Sequence, residues 1–128
     1  MDRLRKRSPL HRVSGLGSEQ EVVRHWWLER ATAVALAPLT LWLVASFIAL
    51  PDSHYVTIIA WLASPLIALP IVLLHIVLFT HLAMGLQVVI EDYVHSGAKI
   101  PSLMAVRLIS FILGAAGIVA TLRIFFNL

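Results

Sequence analysis

Three long apolar runs follow a polar head in this chain. Ala31 to Leu50 contains no charge over 20 residues, and at a rise of about 1.5 Å per residue a helix of that length matches a hydrocarbon core about 30 Å thick. Pro38 lies inside the run and is expected to kink the helix, because proline removes a hydrogen bond and crowds the carbonyl of Val34; neighbouring helices in a bundle absorb such a fault. Pro51 and Asp52 close the run. From Ser53 to Ile90 the chain has no Lys, Arg, Asp or Glu, and these 38 residues exceed one upright span yet fall short of two spans and a turn. Pro65 and Pro70 suit early helical positions, so Tyr55 to Ser64 reads as an interfacial lead-in with Tyr55 and Trp61 at headgroup level. The second span then runs from Pro65 to Tyr93 and is stopped by Glu91-Asp92 and Ser96-Gly97. The third run, Leu103 to Phe126, has Arg107 and Arg123 near its ends, where long side chains snorkel to the interfaces.

The pattern predicts an all-α membrane protein of three transmembrane helices: a basic segment over 1–30, then a membrane domain over 31–128 with spans at 31–50, 65–93 and 103–126. Composition agrees, at 59% hydrophobic and 13% charged residues with a mean hydropathy of +0.88, against about 45–50% apolar and about 25% charged in soluble domains. Large catalytic domains are excluded by length. Seven of the ten basic residues lie before the first span, none follows it before Trp61, and Lys99 and Arg107 stand between spans two and three. The N-terminus is therefore expected in the cytoplasm. Ser14-Gly-Leu-Gly-Ser18 reads as a flexible break in the head. No short apolar core follows the first charges, so a cleavable signal peptide is not expected. With Ser sparse and Asp2 present, a bacterial cytoplasmic membrane is preferred over a mitochondrial presequence.

Cysteine is absent, which removes disulfides, iron–sulfur clusters and thiolate-held haem and leaves histidine as the strong metal ligand. His75, His81 and Gln87 lie at membrane depth, where polar side chains are costly and mark function or a partner. At about 100° per residue, Gly85, Val88 and Asp92 fall within about 40° of His81, while His75 and Tyr93 lie about 120° away. Gly85, one turn beyond His81, clears room for a large flat group or for a second helix. The imidazole thus suits either haem ligation or a hydrogen bond across the bundle. A haem with two axial histidines takes them from opposite sides of the iron, and His75 and His81 share one helix, so a partner subunit would bring the second ligand. At the end of the second span, Glu91-Asp92-Tyr93-Val94-His95 sets carboxylates beside a phenol and an imidazole. Such a group suits a quinone headgroup, whose carbonyl oxygens accept hydrogen bonds and need protons on reduction; it is equally the make-up of a solvated helix end. Arg24 and Arg30 suit haem propionates, quinone oxygen or lipid phosphates. A proton-coupled transporter would want a mid-span acid, and none of the runs has one.

His25-Trp26-Trp27-Leu28-Glu29-Arg30-Ala31-Thr32-Ala33, with His81-x-x-x-Gly85 and Asp92-Tyr93, resembles the small hydrophobic membrane-anchor subunits of succinate dehydrogenase. The resemblance covers Arg24 through the third span. It implies a four-subunit complex in which a flavoprotein and an iron–sulfur subunit oxidise succinate, while this chain and a cytochrome b subunit hold haem b and the ubiquinone site; this chain has no succinate chemistry and no nucleic-acid partner. By position, His81 resembles the haem iron ligand, Tyr93 the residue that hydrogen-bonds a quinone carbonyl with Asp92 beside it, and Arg30 a propionate partner. His25 resembles a second propionate neighbour, although some relatives place the corresponding histidine where Arg24 stands here. A purely structural anchor that has lost haem is the rival reading.

Overall fold

The computed structural model describes residues 9–128, with side chains from Glu19 onward. The described residues form four helices: α1 (Pro9–Ile48), α2 (Tyr55–Leu62), α3 (Pro65–Tyr93) and α4 (Lys99–Phe125). Three stretches, Glu19–Ile48, Pro65–Tyr93 and Lys99–Phe125, are long and apolar enough to cross a bilayer.

Two boundaries differ from those expected of the sequence. α1 begins at Pro9 and passes through Ser14–Ser18 without a break. The two glycines there each weaken a helix by about 1 kcal/mol relative to alanine, but no proline follows to stop it. The basic residues Arg3, Arg5, Lys6 and Arg7 lie outside the described residues. α4 begins at Lys99, four residues ahead of the expected Leu103. Pro101 falls in its first turn, where a missing N–H has no helical partner to lose. α1 also continues through Pro38 to Ile48.

The corner between α2 and α3 follows from Pro65. A residue before proline is pushed out of the helical region, and Ser64 is accordingly extended at φ −71°, ψ 133°, with Pro65 opening the next helix. The carbonyl of Ser64 accepts from the N–H of Ala68 at 2.8 Å. In the preceding loop Asp52 accepts from the backbone N–H of His54 at 2.9 Å. The hydroxyl of Thr57 and this N–H hold the Asp52 carboxyl below its ordinary range.

α3 is the central helix, packed on α4 along one side and on α1 along another. The α4 seam is a stripe of small residues: Ser110, Gly114 and Thr121 are buried, and Gly114 lies against Phe79. Small side chains let two backbones approach closely where lipid gives no hydrophobic drive to associate. Ala68, Ile71, Leu74 and Met84 are the buried apolar side chains, whereas large ones such as Leu66, Leu69 and Phe111 are left exposed along the spans. Three helices thus enclose little core of their own, and most of their apolar surface faces outward to lipid or to other subunits.

Candidate functional site

α1 and α3 are joined by a polar contact at membrane depth. Thr32 Oγ1 lies 2.9 Å from His81 Nδ1, and also 2.7 Å from the carbonyl oxygen of Leu28 and 3.0 Å from that of Glu29. His81 is half-buried. Its Nε2 has no hydrogen-bond partner among the described residues, nor is it sealed from the surroundings. One turn further along α3, a Cβ placed on Gly85 would meet nothing within 4 Å. The clearing expected beside His81 is therefore real, and the chain does not fill it.

His75 sits in a different setting. Its Nδ1 donates to the Ile71 carbonyl of its own helix at 2.8 Å. The ring stacks on Phe79 with centroids 6.3 Å apart, and it lies so close over Gly117 of α4 that any side chain there would overlap it. His75 also borders an open cleft of about 550 Å³ walled by α1, α3 and α4, whose lining includes His25, Phe79, Gln87 and Arg107 but not His81.

The remaining residues singled out in the sequence are dispersed. His25 faces the cleft. Arg30 is exposed, with its guanidinium 5.5 Å from the centre of the Trp26 ring. It precedes Thr32 by two residues, about 200° around the helix, so the chain does not bring Arg30 to His81. Tyr93 and Asp92 are both exposed at the end of α3, Tyr93 at 81%, and neither side chain has a hydrogen bond to another described residue. The polar link at this end is instead Gln87, which donates to Glu91 at 2.9 Å and accepts from Arg107 of α4 at 2.8 Å. No cluster of three His, Asp or Glu able to hold an ion occurs among the described residues. A metal at His81 would need its other ligands from a prosthetic group or a second chain.

Sequence reasoning missed Thr32 as the partner of His81 and Gly117 as the bed of His75. The first had only a weak signal, a hydroxyl near the start of an apolar run that also holds Thr40 and Ser46. The second had a better one, since Ser110, Gly114, Gly117 and Thr121 recur at helical spacing.

Three spanning helices with little shared core, and with a mid-span imidazole beside an unfilled clearing, define a membrane subunit made to be completed by others. Consistent with that class, the chain belongs to the family of succinate dehydrogenase/fumarate reductase transmembrane subunits, whose family model matches residues 4–122. It is 35% identical over 116 residues to the succinate dehydrogenase hydrophobic membrane anchor subunit of Rickettsia bellii (strain RML369-C), covering 89% of this chain and 92% of that one. It is 33% identical over 90 residues to the succinate dehydrogenase membrane anchor subunit of Reclinomonas americana, covering 67% and 75% of the two chains. No solved structure matches the chain. Its role is that of a membrane anchor in succinate dehydrogenase, an enzyme of several subunits.

Proposed function

We propose that this anchor shares a haem b with a cytochrome b subunit through His81, and that it offers Tyr93 to ubiquinone at the cytoplasmic end of α3. The flavoprotein and iron–sulfur subunits dock on that side and deliver electrons from succinate. The uneven division of basic residues supports a cytoplasmic N-terminus in a bacterial inner membrane. The observation that carries the haem reading is the pairing of a half-buried imidazole, its Nε2 unpartnered, with the open face at Gly85. An isolated imidazole without other donors around it suits iron whose remaining ligands come from a porphyrin and a second histidine. Facing outward, it suits a group lying between two subunits.

When bound, haem supplies a one-electron store beside the quinone. The chain's own residues do the rest. His81 presents Nε2, Gly85 leaves the helix surface clear, and Arg30 on the outer side of α1 offers a cation to propionates or lipid phosphates. His25 lies seven residues before Thr32 and so on the same side of α1, as a second propionate neighbour. Tyr93 donates its phenolic O–H to a quinone carbonyl, and Asp92 and Glu91 link that end to water for proton delivery.

His75 is the second reading, because the cleft touches its ring. Its bond to Ile71 and its seat on Gly117 give it a packing role without any ligand. The absorption spectrum of the purified complex separates the two: His81→Ala is expected to abolish the b-type haem bands and His75→Ala to retain them. The reverse result assigns the iron to His75, and a wild-type complex without haem bands leaves a purely structural anchor.

A further inference from the structure

We propose that Thr32 is the positioning residue for His81, setting which ring nitrogen carries the proton and holding the ring so that Nε2 faces outward. This rests on the ligation reading above. The hydroxyl of Thr32 has a single proton and three atoms within reach: the carbonyl oxygen of Leu28 at 2.7 Å, that of Glu29 at 3.0 Å and His81 Nδ1 at 2.9 Å. Carbonyl oxygens only accept, and a helical threonine habitually donates back to the carbonyl four residues earlier. With its proton on Leu28, the oxygen has lone pairs to accept from Nδ1–H, and every atom is satisfied. The opposite tautomer would set two acceptor lone pairs, those of Nδ1 and the carbonyl, in competition for one proton.

The proton thus resides on Nδ1, and Nε2 keeps the lone pair that iron requires. An outer partner on the far nitrogen is how proteins orient metal-bound histidines. Here it comes from a different helix, so the packing of α1 on α3 fixes the rotation of the ring. His75 makes the contrast: its Nδ1 is held within its own helix by Ile71.

The test uses the intact complex with Thr32→Val, Thr32→Ala and Thr32→Ser, read by haem retention on detergent washing and by the electron paramagnetic resonance g-values of the ferric haem, alongside quinone reduction. Loss of such an outer partner commonly weakens metal binding about 10- to 100-fold. Thr32→Val and Thr32→Ala are expected to lose haem at least about tenfold more readily and to shift the g-values, while Thr32→Ser keeps both. Wild-type retention and g-values in the Val and Ala variants overturn the inference, as does a Ser variant as impaired as Val, which would make the residue's shape the cause. Failure of both Val and Ala variants to assemble, with Ser assembling, makes the bond a packing contact and overturns it too. His81→Ala in parallel keeps the two ideas apart: haem bands surviving that change defeat the ligation reading itself, whereas their loss with unaltered Thr32 variants defeats only the positioning role.

Discussion

Gly117 of α4 lies directly against the imidazole of His75 on α3, and a Cβ at that glycine would overlap the ring. The contact makes the two helices interdependent: α4 can approach only because one residue lacks a side chain, and His75 is held in place by what it covers. Gly85 stands at the opposite extreme on the same α3, with open space around it.

The two glycines should therefore respond differently to alanine. Gly117→Ala forces His75 or the α3–α4 spacing to move, and overpacking of this kind costs about 1–3 kcal/mol. It is expected to lower the thermal midpoint and yield of the detergent-solubilised complex. Gly85→Ala disturbs nothing within the chain, so any loss of haem or of the cytochrome b subunit that it causes reports on what covers that face from outside. Thermal unfolding and haem content measured on both variants check this, and a Gly117→Ala complex as stable as wild type would contradict the packing described.

Much of this architecture is legible in the sequence because the bilayer leaves the backbone few options. Uncharged runs of spanning length become helices, and Pro65 sets a corner through its effect on Ser64. The misread boundaries have local causes. Gly15 and Gly17 punctuate loops in soluble proteins but are tolerated in a helix that continues past them, and α4 starts ahead of Leu103 because a first turn accommodates Pro101. The helical faces of His75 and His81 follow from periodicity. Their partners do not, since nothing in the spacing along α3 tells which residue of α1 or α4 arrives opposite. Thr32 and Gly117 leave traces in the patterns of their own helices, but that they meet His81 and His75 becomes visible only once the helices are side by side.

The link from Arg107 through Gln87 to Glu91 ties the start of α4 to the end of α3. Glu91 and Arg107 are exposed in the isolated chain, and where their long side chains reach water at the interface such contacts contribute only about 0–1 kcal/mol. Gln87→Leu is accordingly expected to leave the complex assembled and to lower its thermal midpoint only slightly, by a few degrees at most. A large loss of stability would mean that the link is buried in the complex, sealed by another subunit, and binding of the soluble subunits to membranes carrying the variant would show whether that subunit is one of them.

Tyr93 offers the sharpest test of the quinone reading. Its side chain is 81% exposed in the isolated chain and has no partner among the described residues, so its removal leaves no hole and orphans no neighbour. Tyr93→Phe should assemble, retain haem and keep succinate oxidation with an artificial acceptor that takes electrons before the membrane. If the phenol donates to the quinone carbonyl as charge develops on that oxygen, ubiquinone reduction should fall by roughly 10- to 100-fold, the loss of one positioned hydrogen bond at a reacting centre. Asp92→Asn should fall less, since Glu91 beside it also connects that end to water. The comparison of the two acceptors is what gives the experiment its force. A drop in both rates points to faulty assembly, whereas unchanged ubiquinone reduction in Tyr93→Phe removes this residue from the quinone site and returns it to the role of an interfacial aromatic at the end of α3.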